Sequence, residues 1–126
     1  MSLILDAGAL VAIERGDRFT TTLVSTELAA GRVPLSHGGV VGQVWRGGGA
    51  RQARLAKLLA ALQIAPLDAA LGRRAGALLA RAHTSDVVDA AVVLLASDGD
   101  FILTSDPDDL EPLAFAAGLQ IEIITV

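Results

Sequence analysis

The sequence contains no cysteine, and this absence excludes both a disulfide framework and thiolate chemistry. Long apolar runs are also missing, since no stretch approaches the length of a membrane span. The N-terminal residues MSLILDAGALVAIE contain no basic leader, and Asp6 interrupts their apolar run. We therefore expect a cytoplasmic protein that does not contact a membrane. Histidine occurs only twice, which is too few for a site built from histidine alone.

The sequence does have enough apolar residues for a substantial core. It is 126 residues long, and 52% of them are hydrophobic while 19% are charged. This length is typical of one domain, and the apolar content allows a core that needs neither metals nor disulfides. We expect a single domain over residues 1–126.

The charges are distributed unevenly along the chain, although the net charge is only −4. Residues 46–81 contain seven basic residues and one acid, whereas the remainder contains three basic residues and thirteen acids. Arginines on amphipathic helices often do no more than face solvent. The asymmetry nevertheless favours an electropositive face and a polyanionic partner, with the carboxylates gathered elsewhere.

Apolar periodicity, caps and glycine breaks predict twelve alternating elements. The strands are predicted at 3–5, 32–36, 63–66, 101–104 and 120–126, and the helices at 7–14, 17–30, 38–46, 51–62, 68–82, 84–96 and 106–117. The helix at 84–96 is expected to be capped by Thr84 or Ser85. Because strands alternate with helices, we predict an α/β fold with a mostly parallel five-stranded sheet and helices on both faces.

Two aspartates lie at the carboxyl ends of predicted strands, Asp6 after the first and Asp106 after the fourth. Ligands of an open parallel sheet bind beyond the carboxyl ends of the strands, where the strand order reverses. The two side chains converge if these strands are neighbours. Asp86 and Asp89 are three residues apart at the start of the helix that leads into the fourth strand, so they share a helix face near the same edge.

Each of these aspartates also has a purely structural explanation. Asp6 can cap the first helix, Asp86 can complement a helix dipole, and Asp106 before Pro107 has the pattern of an N-cap followed by a first-turn proline. Asp89 is harder to explain, because it is surrounded by apolar residues where an unpaired charge is costly. Their common position at one sheet edge favours a functional site.

Carboxylates held close together repel one another and raise one another's pKa, so the cluster requires a cation. Oxygen donors without cysteine or paired histidines indicate Mg²⁺ or Mn²⁺. Magnesium keeps several waters and binds substrate phosphate, which points to phosphoryl chemistry with a metal-activated water.

Three segments, LILDAGALVAI, DVVDAAVVLLA and ILTSDPDDL, resemble in their order and spacing the PIN domain, and in particular the small VapC-like toxins of bacterial toxin–antitoxin pairs. The resemblance covers essentially the whole chain. It implies an α/β/α sandwich and a metal-dependent ribonuclease that is usually dimeric and inhibited by a cognate antitoxin protein. It assigns the acidic metal-binding and catalytic positions to Asp6, Asp89 and Asp106. Asp86 becomes an added carboxylate nearby, and Thr104 matches the small hydroxyl residue before the last acid.

One position departs from this family. The family usually has a glutamate on the helix after the second strand, near VVGQVWR, and this chain has Gln43. Glutamine can coordinate through its carbonyl oxygen or hold a water, but it cannot carry charge or act as a base. Either Asp86 compensates, or metal binding is weaker, or the protein is no longer a nuclease. With RNA as the substrate, the candidate RNA-binding residues are Arg46, Arg51, Arg54, Arg73 and Arg74.

Two functions therefore stay open: a metal-dependent endoribonuclease toxin, and a catalytically degenerate binding or regulatory module. A phosphoacceptor receiver domain ranks below both, because it expects an acceptor aspartate after the third strand and a lysine near the last. Here the third strand ends at Pro66, and Lys57 is the only lysine. A hydrolase of the haloacid dehalogenase type would have an aspartate at Gly8. His37, at a strand end, could face the cleft, and Trp45 is expected in the core or at a subunit contact.

Overall fold

The computed structural model describes all residues, Met1–Val126, and contains five strands and seven helices in the predicted order. The strands are β1 (Leu3–Leu5), β2 (Leu35–His37), β3 (Gln63–Ala65), β4 (Phe101–Thr104) and β5 (Glu122–Thr125). The helices are α1 (Ala7–Glu14), α2 (Arg18–Ala29), α3 (Gly38–Val44), α4 (Ala53–Ala61), α5 (Ala69–Ala82), α6 (Val87–Leu94) and α7 (Pro107–Ala117), and a short 3₁₀ helix at Ala50–Gln52 precedes α4.

The five strands form one sheet in the order β3-β2-β1-β4-β5, and every pair in it is parallel. The chain moves outward from β1 to β2 and β3, and then returns to form β4 on the other side of β1. Strand order therefore reverses between β1 and β4, which pair with Leu3 opposite Phe101 and Leu5 opposite Leu103. This reversal creates a crevice at the carboxyl edge of the sheet.

The helices form two layers. Helix α1 packs against α2, α3 and α4, whereas α5, α6 and α7 pack against one another. Parallel crossovers are right-handed, so the reversal of direction after β3 places the second group on the opposite face of the sheet. The predicted α/β/α sandwich with its five-stranded parallel sheet is confirmed.

The central strands are buried on both faces, as parallel strands under helices must be. Ile4, Leu5, Ile102 and Leu103 have no exposed surface and belong to a cluster of 25 buried apolar residues. This rigid centre sets the position of whatever follows β1 and β4. None of the helices combines the length and apolarity needed to cross a bilayer.

Several predicted boundaries were wrong, and the two largest errors are at the starts of the second strand and of the sixth helix. The second strand begins at Leu35 rather than at residue 32, because Pro34 has no N–H for the sheet ladder. Helix α6 begins at Val87 and is capped by Asp86, whose Oδ1 accepts a hydrogen bond from the Asp89 N–H at 3.0 Å, so neither Thr84 nor Ser85 caps it.

Candidate active site

The switch point between β1 and β4 brings Asp6 and Asp106 to the same edge of the sheet. The Asp6 N–H donates to the Leu103 carbonyl at 3.2 Å, which continues the β1–β4 ladder to the end of the strand. The Asp106 N–H donates to the Thr104 hydroxyl oxygen at 2.9 Å, which fixes the turn after β4. Both aspartates line one cavity of about 370 Å³.

The two turns that carry these aspartates lie in close contact. A Cβ built on Gly8 would overlap the Ser105 hydroxyl and stand 2.8 Å from the Ser105 backbone nitrogen. Only glycine therefore allows the start of α1 to approach the turn after β4 this closely. The same residue argues against a hydrolase with a second aspartate at this position.

The cavity is strongly acidic. Its charged lining residues are all aspartates, and no arginine or lysine lines it. The polar and charged side chains around it are Asp6, Gln43, Asp86, Asp89, Ser105, Asp106 and Asp109. All four carboxylates singled out in the sequence are thus found around one concavity, together with the glutamine that replaces the expected glutamate.

Asp6 is the most deeply placed carboxylate, with 8% of its surface exposed. Its Oδ1 accepts a hydrogen bond from the Ala9 N–H at 3.1 Å, so it also caps α1, as its structural explanation requires. Burial raises the pKa of Asp6, hydrogen bonding by the Thr104 hydroxyl and two backbone N–H groups partly opposes that rise, and the nearby charge of Asp106 adds to it. Capping and membership of the cavity are compatible, because only one carboxylate oxygen is needed for the cap.

Asp89 is half-buried, and the charges of the four other cavity aspartates affect its pKa. Its pKa is raised from 3.8 to about 6, first by burial and then by the negative charges of Asp86, Asp109, Asp6 and Asp106. The aspartates therefore form one electrostatic cluster, in which an added cation would relieve both the repulsion and the cost of burial.

The side chain of Asp106 makes fewer hydrogen bonds than its N-cap position predicts. It occupies the N-cap of α7, but its side chain makes no capping hydrogen bond. Its Oδ2 accepts only a long hydrogen bond from the Ser105 hydroxyl, at 3.4 Å. The predicted N-cap position before Pro107 is confirmed, but the side chain does not cap the helix, so the carboxylate that lines the cavity makes few hydrogen bonds within the protein.

Two residues of this region were missed or misplaced by sequence reasoning. Asp109 lines the cavity, and its spacing of three residues from Asp106 was the signal, since residues i and i+3 share a helix face. His37 does not face the cleft, because it is fully buried. Its Nδ1 accepts from the Gly39 N–H at 3.0 Å, so the proton is on Nε2, which donates to the Val88 carbonyl at 3.0 Å.

The His37 bridge links the two helix layers beside the cavity. It joins the start of α3, which carries Gln43, to the first turn of α6, which carries Asp89. Burial lowers the pKa of His37, which keeps the ring neutral and able to accept the Gly39 hydrogen bond. No residue-level signal in the sequence distinguishes such a buried bridge from an exposed ligand.

Gln43 is exposed on α3 and lines the cavity from the α1–α4 layer. The carboxylates supply only oxygen donors, which suit Mg²⁺ or Mn²⁺ and not a softer metal. Nevertheless, no three histidine, aspartate or glutamate side chains converge closely enough to hold one ion between them directly. The donor set therefore fits a partly hydrated cation, since magnesium uses one or two carboxylates and keeps several waters.

The arginines of the basic segment do not form one face, contrary to expectation. Arg46 and Arg51 line a groove beside the cavity, and Arg54 lines a different groove on the α1–α4 layer. Arg73 and Arg74 are exposed on α5, which belongs to the opposite layer. The chain passes to the opposite face of the sheet after β3, so arginines that are close in sequence lie on different layers.

Trp45 was expected in the core or at a subunit contact, but 37% of its surface is exposed, so it is not a core residue. Its ring packs over Gly48, because a Cβ built on Gly48 would lie 3.1 Å from two of the ring carbons.

A comparison with solved structures finds a chain in the crystal structure of VapBC2 from Rickettsia felis bound to a DNA fragment from their promoter. The alignment covers 98% of this chain and 99% of that chain, with a TM-score of 0.66 and 14% sequence identity. At this identity the likeness shows the fold, which is PIN-like as the sequence motifs indicated. No family model and no curated protein matches the sequence.

Proposed function

We propose that this protein is a Mg²⁺- or Mn²⁺-dependent endoribonuclease and the toxin of a toxin–antitoxin pair. The observation that carries the proposal is the aspartate cluster at the β1–β4 switch point: five carboxylates and no basic side chain line one cavity in a VapC-like fold. Burial first, and then the negative charges of the other cavity aspartates, raise the pKa of Asp89 to about 6, and a bound cation would offset both effects.

Asp6, Asp89 and Asp106 would hold the cation, one or two of them directly and the others through its waters, with Asp86 as an added carboxylate. A bound divalent cation supplies an activated water and neutralises charge at the scissile phosphate. The protein contributes preorganisation. Asp6 is fixed by its α1 cap and by the buried Thr104, so it meets the cation without rearrangement.

The other two carboxylates have distinct parts in this scheme. Asp106 makes no capping hydrogen bond, and the only hydrogen bond to its carboxylate is the long one from the Ser105 hydroxyl to Oδ2, so its oxygens remain available to a cation. Asp89 has a raised pKa, so near neutral pH a fraction of it is protonated, and binding of a cation releases that proton. Binding should therefore weaken as the pH falls through about 6.

The second candidate is a binding or regulatory module with the same fold and little catalysis. Two observations favour it: Gln43 occupies the cavity position where a glutamate is expected, and no three carboxylates converge on one point. Glutamine can hold a metal-bound water but cannot add charge. The two candidates differ in whether the cation that binds is held firmly enough to activate a water.

The proposed partners follow from the same fold. VapBC2 is described as a complex bound to a DNA fragment from its promoter. By analogy we propose that this chain binds a cognate antitoxin protein, and a small reading frame immediately upstream would encode it. A homodimer, a cytoplasmic location and RNA as the substrate belong to this proposal too.

The test is an RNA cleavage assay with purified protein that is free of antitoxin. Wild-type protein should cut single-stranded or loop RNA with Mg²⁺ or Mn²⁺ and not with EDTA, and its expression should be toxic. Asp6→Asn and Asp106→Asn should abolish both effects, whereas Gln43→Glu should leave cutting intact or increase it. Glu111→Gln is the matched control, because this exposed α7 carboxylate does not line the cavity.

Two outcomes decide between the candidates. If wild type shows no metal-dependent cutting but Gln43→Glu does, the binding-module function is correct. If the aspartate variants cut as well as wild type, the activity comes from a contaminant and the nuclease assignment fails.

A further inference from the structure

A second concavity lies next to the acidic cavity and has the opposite charge. It is a groove of about 570 Å³ between the ends of α1 and α3 and the 3₁₀ helix before α4. Its charged residues are Arg15, Arg46 and Arg51, with Glu14 as the one acid. We call it the arginine groove. It carries a net charge of +2, whereas the only charged residues that line the neighbouring cavity are aspartates.

The arginine groove lies about one helical turn from the acidic cavity along α1, and the two have no lining residue in common. On α1, Ala7 and Gly8 line the cavity, and Val11 lines the groove. Residues three and four apart share a helix face, so the groove lies about one turn, roughly 5.4 Å, further along α1. On α3, Gln43 lines the cavity and the next residue, Val44, lines the groove. Because α1 and α3 pack together, both concavities lie along one seam.

The wall of the groove is held in place by a buried glutamine. Gln52 is 5% exposed, and its Oε1 accepts from the Arg46 N–H at 2.9 Å and the Gly48 N–H at 3.0 Å. Its Nε2 donates to the Val44 carbonyl at 3.0 Å and to Glu14 Oε1 at 3.4 Å. The intervening loop has three successive glycines with φ of 88°, 83° and 77°, a conformation that other residues rarely adopt.

The positive charges of the groove are available to a ligand. The only ion pair in the structure joins Arg32 to Glu27, so no carboxylate neutralises the three groove arginines. All three are exposed, and Arg46 uses only Nη1 for hydrogen bonds within the protein, to the Gly42 and Trp45 carbonyls. Trp45, which precedes Arg46, does not line the groove itself, but its ring packs over the groove residue Gly48 and adds a partly exposed aromatic surface beside it.

We propose that the arginine groove binds the phosphates of single-stranded RNA and leads that strand into the acidic cavity. The second half of this statement rests on the proposed function, whereas binding in the groove does not. Surfaces that bind single-stranded nucleic acids combine basic residues along the phosphate backbone with aromatic side chains on which bases stack. The arginines of the groove and the nearby Trp45 supply these two components. An acidic protein segment would satisfy the arginines, but it would be repelled by the adjacent carboxylates and has no base to stack on Trp45.

The test measures binding without cleavage. A labelled single-stranded RNA is titrated with the protein in EDTA, and anisotropy is followed at several salt concentrations. Each lost phosphate contact makes the negative slope of log K against log salt shallower by about 0.7. The double variant Arg15→Ala with Arg51→Ala should therefore make the slope shallower by about 1.4 and weaken RNA binding roughly twentyfold at 0.1 M salt.

The matched control is Arg18→Ala with Arg81→Ala. It removes the same charge from exposed positions on α2 and α5 that do not line the groove. Its binding should change less than about twofold if position and not net charge matters. Melting curves of both double variants show that the fold is retained. Trp45 is the only tryptophan, so its fluorescence reports on this groove and should change as RNA binds.

Three results would overturn the proposal: equal losses of RNA affinity in the two double variants, no change in Trp45 fluorescence on RNA binding, or a glutamate-rich peptide that binds as tightly as RNA with the same dependence on Arg15 and Arg51.

The groove proposal and the nuclease proposal can fail separately. If RNA binds in the groove but no metal supports cutting, the nuclease function fails and the groove stands. If wild type cuts RNA and the groove variants cut with unchanged KM, the groove proposal fails and the nuclease stands.

Discussion

Replacing Asp89 by asparagine should stabilise the metal-free protein near neutral pH. The carboxylate of Asp89 is half-buried among four other aspartates, and its pKa is raised from 3.8 to about 6. An acid with a raised folded-state pKa holds its proton more tightly in the folded state, so stability is present below the unfolded pKa and is lost as pH rises through the folded pKa. At pH 7.5 wild type therefore carries the full penalty, and Asp89→Asn removes it.

The magnitude follows from the shift. A rise of about two pKa units corresponds to about 3 kcal/mol, which we reduce to about 1 kcal/mol because solvent screens a half-exposed group. For a domain of this size, that gain raises the melting temperature by about 3–5 °C. The gain should shrink toward zero as pH falls from 6 to below 4, where the wild-type side chain is already protonated in the folded state.

The assay is thermal unfolding of wild type, Asp89→Asn and the control Glu111→Gln, in EDTA at pH 7.5 and 4.5 and with Mn²⁺ at pH 7.5. Mn²⁺ should stabilise wild type by about 1.4 kcal/mol at ten times its Kd, and should stabilise Asp89→Asn less. The reasoning is refuted if Asp89→Asn melts at or below the wild-type temperature in EDTA at pH 7.5. Identical wild-type curves with EDTA and with excess Mn²⁺ would argue against a metal site.

Three further substitutions test the hydrogen bonds and the close contact that position the residues around the cavity. Thr104→Val should cost about 1–2 kcal/mol in urea unfolding, because the partly buried Asp106 N–H loses its acceptor, and Thr104→Ser should cost clearly less; equal losses would show that packing and not the hydroxyl matters. His37→Phe should cost about 1–3 kcal/mol because it leaves the Gly39 N–H without its acceptor and removes the hydrogen bond to the Val88 carbonyl, and a loss below that of a surface substitution would contradict the bridge. Gly8→Ala should cost about 1–3 kcal/mol by collision with Ser105, and a melting temperature equal to wild type would contradict the close approach of the two turns.

The order of the elements could be predicted because its signals are local. Asp17 and Asp68 accept hydrogen bonds from N–H groups of the helices that follow them, as their positions in the sequence indicated. Gly118 ends α7 in the left-handed conformation, which is the role that a glycine after a helix predicts. Errors occurred where local signals compete, as in Thr84-Ser85-Asp86, where three capping residues are consecutive and only packing selects the third.

The site was predictable to the extent that it depends on strand ends. Asp6 and Asp106 could be placed because each follows an apolar run, and parallel strands bring their carboxyl ends to one edge. The pairing of β1 with β4 could not be derived, because strand order depends on contacts between residues about a hundred positions apart. For the same reason, the sequence could not show that the arginines lie on different layers. Arg51 and Arg73 are near in sequence but lie on opposite layers.

The most direct test of the central claim is to locate a bound cation. Crystals grown with Mn²⁺ should show an anomalous difference peak in the acidic cavity, about 2.1 Å from an oxygen of Asp6 and of at least one other aspartate, with waters completing the octahedron. Crystals of Asp6→Asn should show a weak peak or none. A cavity without a peak at saturating Mn²⁺, or a peak bound elsewhere in the molecule, would contradict the metal-dependent site on which the account depends.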